Sequence, residues 1–96
     1  MDRIEFRTGT FYLGDCFDVM ATLDAGSVDM VLNDPPYGTT ACSWDSVLPL
    51  PEMWAAYWRL LKANGAAAVT ASQPFTSALV MSQAEVFRYL WLWDKI

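Results

Sequence analysis

The chain has 96 residues, 54% of them hydrophobic, with six basic and eleven acidic side chains and a formal charge of −5. That length and composition fit one domain with one core and exclude a disordered chain. The acidic balance argues against a broad cationic footprint for nucleic acid. The lack of any histidine removes histidine-based triads and the commonest metal ligand.

Five Trp, four Tyr and five Phe are many for this length, and some are expected to face a missing partner or segment instead of a core. Cys16 and Cys42 stand alone without a C-x-x-C pair. They read as reduced, structural thiols of a cytoplasmic protein, with a disulfide between them as the alternative and no zinc or dithiol site. Met1 to Glu5 is no signal peptide, and no apolar run reaches about 18 residues, so no membrane span is expected.

Residues 3–14 alternate. Ile4, Phe6, Phe11 and Leu13 point one way and Arg3, Glu5, Arg7 and Tyr12 the other, with Thr8-Gly9 between, which predicts a β-hairpin. Gly14-Asp15 then opens a helix with Asp15 as N-cap and Asp18 in the first turn. Cys16, Val19, Met20 and Leu23 form its apolar face, and Ala25-Gly26-Ser27 ends it.

The most informative stretch follows. Val28 to Asn33 is an apolar run of the kind found in strands buried on both faces. It delivers Asp34-Pro35-Pro36-Tyr37-Gly38, a rigid polar and aromatic tip, to the strand's carboxyl end, where open α/β sheets place their ligands. Residues 39–46 have no period and read as a functional loop. Within it Trp44 is a candidate to line a substrate site or to pack as a lid, and Asp45 reads as a solvated charge.

Pro49 and Pro51 lead into a helix running to about Asn64, with a stripe of Leu50, Trp54, Tyr57, Trp58 and Leu61, Lys62 in the last turn and Asn64-Gly65 as the stop. Trp54, Tyr57 and Trp58 are expected in the core. Gly65 to Ala71 is a small-residue strand, and Ser72-Gln73-Pro74 starts a helix, with Gln73 as a capping residue. Phe87 to Trp93 is β-rich, leaving Asp94-Lys95 at an exposed strand end. Strands alternating with helices predict a mostly parallel sheet with flanking helices. The chain reads as a single domain over 1–96 that is interrupted at its last strand.

The sequence carries no G-x-G-x-x-G, no G-x-x-x-x-G-K-[ST] and no G-x-S-x-G, so neither a phosphate-cradling loop nor a nucleophile elbow is encoded. The tip is the remaining candidate. A carboxylate such as Asp34 accepts one hydrogen of an exocyclic amine. A carbonyl in the Pro-Pro segment accepts the other, and proline has no N–H to compete. Tyr37 offers a face to an extruded base, worth about 1–3 kcal/mol. Two acceptors aimed at one NH₂ localise its lone pair out of the ring plane, so that it can attack a methyl sulfonium.

Asn33-Asp34-Pro35-Pro36-Tyr37 (the DPPY motif), preceded by Leu13-Gly14-Asp15-Cys16 and Gly26 to Leu32, resembles the DNA amino-methyltransferases of the N6-adenine/N4-cytosine type. Leu60 to Gly65 and Thr70 to Phe75 resemble the following helix and strand of phage and bacterial members, so the resemblance covers about residues 10–95. It implies part of a Rossmann-like, S-adenosylmethionine-dependent methyltransferase domain acting on adenine N6 in DNA. Asp34, Pro35 and Tyr37 would be catalytic, Pro36, Gly38 and Trp44 would adjoin the substrate, and Asp15 would lie near the cofactor.

The family's Phe-x-Gly-x-Gly cofactor loop and target-recognition region are not among these residues, and by the resemblance both would follow residue 96. Alternatives stay open: a catalytically inactive remnant or interaction module completed by a second chain or copy, and a methyltransferase acting on cytosine N4, an RNA adenine or a protein glutamine.

Overall fold

The structure is a computed structural model that describes residues 2–40, 42–43 and 45–95. Its elements are β1 (Asp2–Phe6), β2 (Gly9–Leu13), α1 (Cys16–Ala21), β3 (Val28–Asn33), α2 (Leu50–Leu60), β4 (Leu61–Val69) and α3 (Phe75–Ser82). It is a small α/β fold with a parallel strand pair and flanking helices.

The alternation in residues 3–14 does form a hairpin, with Ile4 opposite Phe11 and Phe6 opposite Gly9. The turn falls on Arg7-Thr8 and Gly9 joins the second strand, one residue away from the expected break. The hairpin does not join the other strands. Among the described residues there are two two-stranded sheets, β1–β2 antiparallel and β3–β4 parallel, instead of one mostly parallel sheet.

The expected N-cap of α1 holds, since Asp15 accepts from the Phe17 amide at 2.8 Å. The helix ends at Ala21, so Leu23 lies beyond it, and its core-facing residues are Phe17 and Met20. Its C-terminal carbonyls are met from α2: the Arg59 guanidinium donates to Met20 O at 2.6 Å and Leu23 O at 3.0 Å. A cation at that end also suits the helix dipole. Gly26, in left-handed backbone at φ 66°, returns its amide to Arg59 O at 2.9 Å.

The predicted boundary of α2 needs correction. The helix stops at Leu60, and Leu61 to Val69 form β4, so Lys62 and Asn64-Gly65 lie in a strand, not in a helical last turn and stop. Leu60-Leu61-Lys62-Ala63 has good helix propensity, but Leu61 pairs with Val28 in the parallel pair. The register then slips, and Met30 to Asn33 face Ala66 to Val69. Gly65 sits in the slip, where a Cβ would lie 3.0 Å from Lys62 O and 3.1 Å from Asp29 O.

The core is the cluster of Met53, Trp54 and Tyr57 from α2, Leu61 from β4, and Phe75 and Leu79 from α3. Val28, Val31, Ala67 and Val69 of the parallel pair pack against it. Trp58, expected in this core, is instead exposed; it stacks on Trp54 at 5.5 Å and donates to Gln83 Oε1. β3 is covered on one face only among the described residues, with Met30 and Leu32 exposed on the other, where burial on both faces was expected.

Phe87 to Trp93 is not a strand, and Trp91 is 87% exposed. Strand propensity is a fit to a neighbouring pleated surface, and no strand of the described residues pairs with this segment. Ile4, Phe6, Phe11 and Leu13 are exposed as well. Among the described residues no helix is long and apolar enough to cross a membrane.

Gly65→Ala should destabilise the fold by about 1–3 kcal/mol, the usual cost of forcing atoms into filled space. Two of the crowding atoms are backbone oxygens that cannot step aside. Urea unfolding should show a lower midpoint at unchanged slope. An unchanged midpoint would contradict the register described for β3 and β4.

Candidate functional site

Parallel strands end on the same side of a sheet. β3 ends at Asn33 and β4 at Val69, which are register partners, and the Thr70 amide donates to Asn33 O at 3.0 Å. The residues following each strand, Asp34 and Thr70, are therefore neighbours. Asn33 is also anchored to α2, its side-chain amide donating to the Tyr57 hydroxyl.

Thr70 Oγ1 donates to Asp34 Oδ1 at 2.5 Å. The Tyr37 hydroxyl lies 2.7 Å from Thr70 Oγ1 and 3.1 Å from Asp34 Oδ1. With a single proton it donates best to the nearer oxygen, giving a relay Tyr37–Thr70–Asp34 that ends on the carboxylate. The Thr70 hydroxyl, and after it the Tyr37 hydroxyl lying close by, hold the Asp34 carboxyl below the usual carboxylate range, with Lys95 adding a smaller pull in the same direction. Asp34 is thus ionised at neutral pH and serves as an acceptor.

Tyr37 stacks on Phe75 with ring centroids 5.4 Å apart and planes at 20°. Phe75 belongs to the buried core, so this contact fixes the tyrosine ring from one side. Pro35 is buried, Pro36 half-buried, and Asp34 and Gly38 exposed. Gly38 adopts φ 72°, and a Cβ there would meet Val47 Cγ2 at 2.9 Å. Both the left-handed turn and the close approach require glycine.

Asp45 is not the solvated charge the sequence suggests. It is buried at 9% exposure and closes the loop after the motif. Its Oδ1 accepts the Gly38 amide at 2.9 Å, and its Oδ2 accepts the Thr40 amide at 2.8 Å and the Thr40 hydroxyl at 2.6 Å. The Thr40 hydroxyl, followed by the Gly38 amide, holds the Asp45 carboxyl below its ordinary range.

Two clefts meet at the motif. One, of about 440 Å³, is lined by Asp34, Pro35, Pro36 and Tyr37 with Thr39, Thr40 and Asp45. The other, of about 350 Å³, shares Asp34, Pro35 and Pro36 and adds mainly apolar groups, among them Met20, Val31, Leu32 and Leu48, with Cys16, Asn33 and Tyr57. The Asp34-Pro35-Pro36 segment is thus the wall common to both. The first cleft carries two carboxylates and no basic side chain among its described lining residues, which suits a ligand offering N–H donors and repels a phosphate.

The structure brings together Asp34, Pro35, Pro36 and Tyr37, with Gly38 adjoining through its bond to Asp45. It does not bring Asp15 to either cleft; that carboxylate is spent on capping α1. Trp44 lies outside the described residues. Gln73 caps as expected, its Oε1 accepting from the Ser77 amide and hydroxyl. Cys16 is exposed as a residue, yet desolvation of the thiol and the charge of Asp15 push its pKa up, which favours the protonated thiol over the thiolate. Among the described residues no group of three or more carboxylate or cysteine side chains is placed to hold a metal.

Sequence reasoning missed Thr70 and the role of Asp45. The signal for Thr70 was the parallel pairing itself, since the residue after the second strand must sit beside the residue after the first. No protein-family model matches the chain, and neither a curated protein nor a solved structure matches it.

The depressed Asp45 pKa sets a pH dependence. Its contribution to loop closure is complete above the unfolded carboxylate pKa and is lost as pH falls through the lower folded value. The amide proton shifts of Gly38 and Thr40 should titrate together with one midpoint below the ordinary aspartate range, and Asp45→Asn should abolish the transition. Independent midpoints, or none in the wild type, would contradict the closure.

Proposed function

We propose that the chain is the substrate-side part of a DNA methyltransferase that moves a methyl group from S-adenosylmethionine to adenine N6. The observation that carries this reading is the held carboxylate at the end of β3. Asp34 is ionised and has one oxygen occupied by Thr70, beside a Pro-Pro segment and an aromatic ring in one cleft. That set matches what an amino group on a planar ring requires.

The exocyclic amine donates one hydrogen to Asp34 and the other to the Pro35 carbonyl. With both hydrogens held in those bonds, the nitrogen pyramidalises and its lone pair, withdrawn from conjugation with the ring, becomes nucleophilic. Tyr37 has one face against Phe75, so the target base is left the opposite face for stacking. The low pKa of Asp34 makes it a poor base. It fixes and polarises the amine, and the surplus proton leaves to solvent after transfer.

The second cleft suits the cofactor. Its apolar lining of Met20, Val31 and Leu48 matches the uncharged parts of such a molecule, and Asn33 and Asp34 supply polar contacts at the shared wall. S-adenosylmethionine bound there would supply an electrophilic methyl on a cationic sulfur. The first cleft's carboxylates and the net charge of −5 argue against phosphate contacts by this cleft, so on this reading other residues contact the DNA backbone.

A second reading, an interaction module completed by another chain or copy, draws support from the exposed apolar hairpin face of Ile4, Phe6, Phe11 and Leu13. A binding measurement separates the two. By calorimetry the wild-type chain should bind adenosine, and Asp34→Ala should weaken that binding by about 10-fold or more, the cost of losing one hydrogen bond to a charged group. Equal binding by Asp34→Ala would remove Asp34 from the site, tighter binding of cytidine would reassign the base, and binding of neither nucleoside by the wild type would favour the interaction module.

A further inference from the structure

The Asp34 side chain is exposed, and an exposed aspartate on a strand end would ordinarily rotate among its staggered rotamers. A carboxylate that must meet one hydrogen of an amine cannot do so at random, because a misplacement of about 1 Å is enough to cost on the order of 10²-fold in rate. Something has to hold it.

Thr70 is placed to do that. Its backbone is tied to β3 through the 3.0 Å bond from its amide to Asn33 O. Its β-branched side chain is stiff about χ1. Its hydroxyl donates to Asp34 Oδ1 at 2.5 Å while receiving the Tyr37 proton at 2.7 Å. Tyr37 in turn is stacked on Phe75, which is only 4% exposed. Restraint therefore passes from the buried core through Phe75, Tyr37 and Thr70 to the carboxylate, and successive donors in such a chain reinforce one another. Among the described residues no donor reaches Oδ2, the oxygen left with its acceptor capacity open.

We propose that Thr70 is a positioning residue: it locks Asp34 through Oδ1 so that Oδ2 is presented to the substrate's amino group. The assignment of Oδ2 to an amine rests on the methyltransfer reading; the locking of Asp34 does not. The hydroxyl is the active element. Serine at position 70 keeps it, and valine keeps the shape without it.

The test is NMR on the full chain. In the wild type the Asp34 Hα–Hβ couplings should be those of one rotamer, and its carboxyl should titrate below the ordinary range. Thr70→Val should average the couplings and move the titration up towards that range, and Thr70→Ser should restore both. A role confined to packing would change the unfolding midpoint and leave couplings and titration alone, and that result overturns the proposal. If Thr70→Val does not fold, the wild type decides, because averaged Asp34 couplings overturn the proposal on their own. Adenosine binding reports separately: a wild type with a locked Asp34 that does not bind adenosine removes the methyltransfer reading alone, and a wild type that binds adenosine with a mobile Asp34 removes the positioning role alone.

Discussion

The parallel pairing of β3 with β4 is the constraint on which the rest depends. Because Asn33 lies opposite Val69, two segments more than thirty residues apart along the chain emerge from the sheet side by side. Asp34 leaves one strand and Thr70 the other, and a hydrogen bond between them follows from the register. A slip of one residue would turn every side chain of β3 to the opposite face, sending Val31 outward and breaking the Asn33–Tyr57 tie to α2. Gly65 allows the register by leaving room for the backbone oxygens of Lys62 and Asp29.

Around that edge the two carboxylates have different duties. Asp45 spends both oxygens on the backbone and hydroxyl groups of its own loop and shapes the cleft without offering itself to a ligand. Asp34 spends one oxygen on Thr70 and keeps the other. Both are held ionised by hydrogen bonds they accept. Their negative charges stand in a cleft with an aromatic ring and two prolines, a setting for a neutral or cationic N–H donor. The Asp34-Pro35-Pro36 segment belongs to the neighbouring cleft as well, so a group bound on one side of it lies close to a group bound on the other.

Features carried by local physics were legible in the sequence. The hairpin followed from period-two alternation, the α1 cap from Asp15, the β3 strand from its apolar run, and the Gln73 cap from its place at a helix start. Features that depend on partners distant in the chain were not. The Leu60/Leu61 boundary is set by pairing with Val28 against local helix propensity, and Asp45 is recognisable as a buried acceptor only once Gly38 and Thr40 fold back on it. Phe87 to Trp93 shows the converse. Its residues favour a strand, yet no strand of the described residues pairs with it and it stays irregular. The motif itself was plain, but its supporting residue Thr70 lies in the other strand, where sequence distance hides it.

The central claim is that the tip formed by Asp34, Pro35 and Tyr37 grips an amino group through its two hydrogens. The most direct measurement is NMR titration of the chain with adenosine and with N6,N6-dimethyladenosine, which keeps the ring and has no N–H to donate. The account predicts that adenosine perturbs the signals of Asp34 and Tyr37 and that the dimethylated analogue leaves Asp34 unmoved. An equal response of Asp34 to both compounds would contradict it.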